Sequence, residues 1–160
     1  MTDKQDQFWD IISEATNCMV TTNDEGVLRS RPMAAYVNKG HKVIRFLTDR
    51  GAAKVEELHH DRDVNVSFVN NDDHRYASVS GRASVTTDRS LVKELWGPAA
   101  EIWFEGDADT ADVAVITVVP EQAEYWDADS GKIKAAYELT KAYFTDETPD
   151  IGENAKLDQV

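Results

Sequence analysis

The stretch NCMVTTNDEGVLRSRPMAAYVNKGHKVIRFLT, residues 17–48, decides the fold class. It holds three runs rich in apolar and β-branched residues, separated by the turn sequences NDEG and NKGH. Asn, Asp and Gly between short strands are typical of antiparallel hairpins, so the stretch predicts an antiparallel meander. Pro32 in the second run predicts an edge strand or a bulge, because proline cannot donate to a strand ladder.

Short helices are predicted on both sides of this stretch and between the later strands. Apolar residues at helical spacing predict helices over 3–15, 50–60 and 88–96, and Asp49 and Asp88 are the expected N-caps of the last two. A final helix is predicted over 133–144, whereas the aromatic and acidic segment 98–112 is predicted to be irregular.

Further strands are predicted from alternating or continuous apolar patterns. They cover residues 64–69, residues 75–87 with a bulge at Gly81, the buried run 112–119 and the run 122–128. Closely spaced strands with short inserted helices favour a barrel over a doubly wound sheet. We therefore predict a mainly β protein with one domain over 1–145 and a flexible acidic tail over 146–160.

The charge balance argues against two classes of partner. The chain has 17 basic and 30 acidic residues, a net charge of −13, and this disfavours nucleic acid or an anionic membrane as a partner. Cys18 is the lone cysteine, so no internal disulfide is expected. The first residues lack a basic and apolar leader pattern, and no long apolar run occurs, so we expect a cytoplasmic protein.

Common catalytic and nucleotide motifs are missing from the sequence. There is no G-x-G-x-x-G motif, P-loop or G-x-S-x-G elbow. His59 and His60 are adjacent, and on a helix their side chains point about 100° apart, which is poor geometry for one metal ion. We predict no metal site.

Two segments carry cations that could hold a phosphate. Arg29, Arg31 and Met33 alternate along one strand and therefore share one face, which suits a flat anionic ligand or a solvated edge strand. Thr48 ends a strand just before a helix, and Lys54 lies about one turn inside that helix. A hydroxyl, free amides and an ammonium make a phosphate cradle, although capping and a surface lysine explain the same residues.

A third segment, Tyr125–Trp126, offers rings for stacking against a ligand or a second subunit, or for the core. Trp96 and the pair Trp103–Phe104 add aromatic surface near an irregular segment, which is typical of an interface.

Together these segments resemble a known family. RSRPM, FLTD followed by a lysine, VSFV, SVSGRA, LW with WFEG, and AEYWD occur in the order seen in the general-stress-protein group of the pyridoxamine 5′-phosphate-oxidase-like split barrels. The resemblance runs from about residue 5 to about residue 130. It implies a six-stranded antiparallel, Greek-key-like split β-barrel, and a homodimer with FMN at the subunit interface and a small-molecule redox partner.

The resemblance also implies roles for individual residues. Arg31 would contact the phosphate or the ribityl chain of FMN, Lys54 would hold the phosphate, and Trp126 would reach the flavin from the partner subunit. The other cofactor-binding residues that the resemblance implies are Pro32, Met33, Leu47, Thr48, Tyr76 and Ser78.

Departures from the family pattern limit which substrates we expect the protein to use. Family oxidases carry Arg directly before the phosphate-binding lysine, where this chain has Ala53. After the tryptophan they have a stretch with Arg and His that grips pyridoxine phosphate, where this chain has DADSGKIK, and WFPGG is replaced by WFEGD. We therefore expect an FMN-dependent oxidoreductase of another small substrate, or a non-catalytic flavin carrier, buffer or sensor. The third alternative is a protein that binds another planar ligand, such as a deazaflavin or haem.

Overall fold

The computed structural model describes residues 3–128, 139, 141, 143, 145 and 152–160. Within these residues, one antiparallel sheet of eight strands carries four short helices. The helices are α1 Asp3–Glu14, α2 Ala53–His60, α3 Arg89–Leu95 and α4 Pro98–Trp103. The strands are β1 Asn17–Asp24, β2 Val27–Ala34, β3 Tyr36–Asn38, β4 Val43–Asp49, β5 Asp63–Asn70, β6 Arg75–Thr86, β7 Val113–Asp127 and β8 Glu153–Leu157.

The sheet curls into a split barrel. Its strand order is β2-β1-β5-β6-β7-β4-β3, with β8 added beside β7. Curling brings the edge strand β2 into contact with β4, which is five places away along the sheet. The mainly β split barrel is confirmed, but the sheet has eight strands instead of six because the short β3 and the distant β8 join it.

Two predicted runs differ from the observed strands. The run 27–37 breaks at Ala35, so that β2 pairs with β1 whereas β3 pairs with β4, and the meander is two separate hairpins. Conversely, the two runs predicted within 112–128 form the single strand β7. The first half of β7 is buried on both faces, as predicted, because Ile116 and Val118 pack inside the barrel while Val113 and Val115 pack beneath α3 and α4.

The predicted bulge at Gly81 is confirmed, because the register between β6 and β7 shifts between Ser80 and Gly81. Gly81 faces Pro120, and a Cβ atom built on Gly81 would lie 2.2 Å from the backbone oxygen of Val119. Only a residue without a side chain allows this close approach of two backbones.

The helices predicted over 3–15, 50–60 and 88–96 are confirmed in type and corrected at their ends. Asp88 caps α3 by accepting a hydrogen bond from the Ser90 amide, as expected. The prediction of Asp49 as a cap was wrong, since α2 begins at Ala53 with Ala52 before it, and Asp49 ends β4. The segment predicted to be irregular contains α4, which starts with proline at a position where the missing amide costs nothing.

The predicted flexible tail is wrong over Glu153–Leu157. These residues form β8 and pair antiparallel with the second half of β7, from Ala123 to Asp127. The short polar sequence ENAKL gives no strong strand signal, so this pairing depends on the free edge that β7 presents. The predicted helix over 133–144 lies largely outside the described residues.

Two apolar clusters hold the fold together. The main cluster fills the barrel and includes Phe8 and Trp9 of α1, which are fully buried, as well as Phe68 and Tyr125. The second cluster lies outside the barrel wall, between β4, β7 and the helices α3 and α4, and contains Val92, Ala100, Val113 and Val115. The barrel interior is therefore packed, which leaves its end and outer face for binding. None of the helices in the described part of the chain has the length and hydropathy needed to span a bilayer.

We predict that Gly81→Ala lowers the free energy of unfolding by about 1–3 kcal/mol, because the new methyl group overlaps the β7 backbone. Urea unfolding at pH 7 measures the change. Gly51→Ala is the matched control, since nothing lies within 4 Å of its added Cβ atom, and it should change stability by less than about 0.5 kcal/mol. Equal stability of the two variants would contradict the assignment of Gly81 as a steric requirement.

Candidate functional site

Helix α2 contacts β1 and β6 and brings two charged side chains to the strands β1, β2 and β4. Lys54 and Glu57 are three residues apart, so they project from the same side of the helix. Val55 and Leu58 pack inward beside them and fix the helix against the sheet. The lysine and the carboxylate are thus held by a packed helix.

Strand β2 brings Arg31 to the same place. The β1–β2 register sets Arg31 opposite Val20 and Arg29 opposite Thr22. Val20 and Thr22 are buried, so the face that Arg29, Arg31 and Met33 share is the inner face of the barrel. The prediction that the three side chains share a face is confirmed.

The carboxylate of Glu57 anchors both arginines. Glu57 is only 6% exposed. Its Oε2 accepts hydrogen bonds from the Thr22 hydroxyl and from Nη2 of Arg31, the latter at 2.9 Å. Its Oε1 accepts from Nη1 of Arg29 at 3.2 Å. A buried carboxylate needs such cationic and hydrogen-bonding partners to remain ionised.

These contacts determine the pKa of Glu57. Burial by itself would raise the pKa, because it disfavours the charged form. Hydrogen bonds from Thr22 and Arg31, together with the positive charges of Arg31 and Arg29, outweigh burial and lower the pKa below its ordinary value of 4.5. Glu57 is therefore negative at neutral pH.

Lys54 reaches across from α2 to β4. Its Nζ donates to the hydroxyl of Thr48 at 2.9 Å, and Thr48 is almost fully buried. Burial lowers the pKa of Lys54, and the positive charge of Arg31 lowers it further. An anion placed between Lys54 and Arg31 would offset the repulsion between their two positive charges. We call Arg31, Thr48 and Lys54 the cationic cradle.

The structure does not bring the other predicted binding residues to the cationic cradle. Met33 is buried in the main core, and Leu47 points away from Thr48 into the second apolar cluster. Pro32, Tyr76, Ser78 and Trp126 lie on the outer face of the sheet, because they alternate with inward residues on β2, β6 and β7.

On that outer face the strand register groups these residues. One cross-strand row runs from Pro32 through Met19 and Ser67 to Ser78. The next row sets Tyr76 beside Trp126, whose side chain remains 39% exposed. The predicted residues thus form two groups on opposite faces of one sheet.

Sequence reasoning missed Thr22 and Glu57. Thr22 continues the inward alternation of Cys18 and Val20, which is a usable signal. Glu57 gives no such signal, because it follows Val55 by two residues and so lies about 200° around α2 from that apolar side chain.

The fold is that of a split barrel in which the cationic cradle lies beside α2. The family described as "Pyridoxamine 5′-phosphate oxidase like" has a model that matches residues 3–150. This match covers most of the chain, so the chain belongs to that family.

Three proteins from other organisms are similar to this chain. Protein bli-3 of Neurospora crassa is 36% identical over 118 residues, which are 67% of this chain and 56% of that protein. The chain thus spans little more than half the length of this relative. The solved structure of a candidate general stress protein 26 from Jannaschia sp. CCS1 is 28% identical, with a TM-score of 0.82 and 99% of each chain covered.

The third is the general stress FMN/FAD binding protein of Xanthomonas citri, which is 27% identical. Its solved structure has a TM-score of 0.69 and covers 81% of this chain and 93% of its own. The resemblance to the general-stress group is confirmed by these two structures and by the family match.

We predict that Glu57→Gln lowers the free energy of unfolding at pH 7 by about 1–3 kcal/mol, because charge-assisted hydrogen bonds become neutral ones. The folded pKa of Glu57 is depressed, so its stabilisation is complete above the ordinary pKa of 4.5 and is lost as the pH falls below it. Urea unfolding from pH 7 to pH 3 should show the difference from wild type shrinking. A constant difference would disprove the ionised state of Glu57.

Glu56→Gln is the control. It removes the same charge one position earlier on α2, where the side chain is 75% exposed. Its stability should follow that of the wild type at every pH.

Proposed function

We propose that the protein binds FMN, with the phosphate in the cationic cradle. The supporting observation is the charge arrangement at the barrel end, where two cations and a hydroxyl converge. A phosphomonoester carries close to two negative charges at neutral pH and has three acceptor oxygens. Arg31 can donate to two of these oxygens, while Lys54 and Thr48 can donate to the third.

The cationic cradle favours FMN over haem and over a flavin that has no phosphate. Riboflavin has no phosphate, and haem would call for an axial ligand such as His, Cys, Met or Tyr. The cationic cradle has one arginine and one lysine, which match a single phosphate group. The name of the Xanthomonas citri relative mentions both FMN and FAD, and the single cradle supports FMN for this chain.

We further propose a homodimer that completes each site. Tyr76 and Trp126 lie on the outer face, whereas Arg31 and Lys54 belong to the barrel interior and its end. On β7, Trp126 lies 12 residues from Ala114, which pairs with Thr48, and at about 3.3 Å per residue this is about 40 Å along the strand. The two groups of one chain cannot touch one small ligand together, but Trp126 of the partner subunit can cover a flavin held by the cationic cradle.

The activity that we propose is that of an FMN-dependent oxidoreductase acting on a small redox partner. Bound FMN would supply hydride and electron transfer. The residues of this chain would bind its phosphate, orient its ring and exclude water from one side. The substrate is one other than pyridoxamine phosphate, because the family's Arg- and His-containing stretch is absent after Trp126. The same absence favours, as a second candidate, a flavin carrier or sensor without turnover.

We also infer a cytoplasmic location, which the lone cysteine and the absence of an internal disulfide favour.

Lys54→Met should weaken FMN binding about tenfold to a hundredfold, because a charge-assisted bond to the phosphate is lost. Quenching of flavin fluorescence on titration gives the dissociation constants. Riboflavin, which shares the ring and lacks the phosphate, should bind the variant and the wild type with similar affinity. Lys4→Met, on the exposed side of α1, is the charge-matched control and should leave FMN affinity unchanged. An FMN affinity unaffected by Lys54→Met would contradict the proposed phosphate site.

Mixing two variants that each bind FMN weakly tests whether each FMN site is built by both subunits. Chains carrying Lys54→Met and chains carrying Trp126→Ala should each bind FMN weakly as separate homodimers. A mixed dimer holds one site that has both Lys54 and Trp126, so we expect tight binding to return at about half of the sites in that dimer. If each site is built by one chain, the mixed dimer has no intact site, and weak binding throughout would refute the dimer proposal.

Steady-state oxidation of a reduced nicotinamide by the FMN-loaded protein separates the two candidate activities. Turnover that falls in Lys54→Met together with FMN affinity supports the oxidoreductase. Retained FMN without turnover on any reduced nicotinamide supports the carrier or sensor.

A further inference from the structure

The guanidinium of Arg31 is held along one edge. Nη1 donates to the Thr22 hydroxyl and, at 3.5 Å, to the carbonyl of Val20, whereas Nη2 donates to Oε2 of Glu57 at 2.9 Å. Thr22 and Glu57 are also hydrogen-bonded to each other, so their two acceptor atoms are neighbours that bracket the end of the guanidinium. The edge formed by Nε and the second Nη2 proton has no acceptor among the described residues.

That remaining edge is suited to a phosphate. Arginine binds carboxylates and phosphates through two parallel N–H groups, and the pair at Nε and Nη2 has the required fork geometry. The Arg31 side chain is 19% exposed, so it is not sealed inside the barrel by its neighbours. A flexible arginine would lose rotamer entropy on binding, whereas one already held by Thr22 and Glu57 has lost it on folding.

We infer that Glu57 is a positioning residue for the cofactor phosphate. Together with Thr22, it fixes Arg31 so that the Nε–Nη2 edge of the guanidinium faces the other two residues of the cationic cradle, Thr48 and Lys54. The inference rests on the proposed FMN function. A positioning role and a purely electrostatic role predict opposite changes in FMN affinity when the charge of Glu57 is removed. A carboxylate near a phosphate repels it, so a purely electrostatic role means that removing the charge tightens FMN binding. A positioning role means that removing it weakens FMN binding.

The experiment compares FMN with riboflavin in the full-length protein. The ratio of their dissociation constants reports the phosphate contribution and cancels changes in ring binding. We expect Glu57→Gln to reduce the preference for FMN about tenfold, with riboflavin affinity changed by less than about twofold. Thr22→Val should reduce the preference in the same direction. Glu56→Gln carries the same charge change on the exposed side of α2 and should keep the wild-type ratio.

A double-mutant cycle separates positioning from a structural role. In an Arg31→Met background, Glu57→Gln should reduce the preference for FMN no further, because the residue that it positions is absent. A merely structural role would lower the ratio equally in both backgrounds, and that result would overturn the inference. Thermal unfolding of the ligand-free variants shows which are folded, and Thr22→Val carries the test if Glu57→Gln does not fold.

The failures of the two proposals are distinguishable. If the wild type clearly prefers FMN to riboflavin, and Glu57→Gln binds FMN as tightly as the wild type or more tightly, then the positioning role alone is overturned. A wild type that binds FMN no better than riboflavin overturns the phosphate site, and the role of Glu57 with it.

Discussion

An ionised carboxylate inside a protein needs cations and hydrogen-bond donors around it, and the candidate site is arranged around this requirement of Glu57. One residue of α2 connects β1 through Thr22 and β2 through Arg31 and Arg29. Three residues earlier, Lys54 connects the same helix to β4. Since β2 and β4 are the strands where the barrel is split, α2 bridges the split with charged groups. An apolar helix in this position would close the barrel but hold no anion.

The proposed site draws on both faces of the curled sheet. The inner face carries the charged groups, while the outer face carries Ser67 and Ser78 in one row and the half-exposed Trp126 beside Tyr76 in the next. Because the barrel interior is filled by the main apolar cluster, a ring as large as a flavin has no room inside it. A bound flavin ring would therefore lie outside the barrel, and in the proposed homodimer Trp126 of the partner subunit would cover it.

Local patterns in the sequence were sufficient for most strands, for the Gly81 bulge and for the side of β2 that carries Arg31. They could not show that this side faces the interior, and so Met33 was expected at the ligand but lies in the core. The break at Ala35 and the strand β8 were missed because both depend on pairing between distant segments. Glu57 was missed because glutamate on a short helix usually faces solvent.

A crystal structure of the protein with bound FMN tests the central claim most directly. We predict the phosphate within hydrogen-bonding distance of Nε and Nη2 of Arg31, of Thr48 and of Lys54, with Glu57 still holding the other edge of Arg31. The flavin ring should lie between two subunits, near Trp126 of the partner subunit. A phosphate bound away from Arg31 and Lys54, or a ring enclosed by a single chain, would contradict the account.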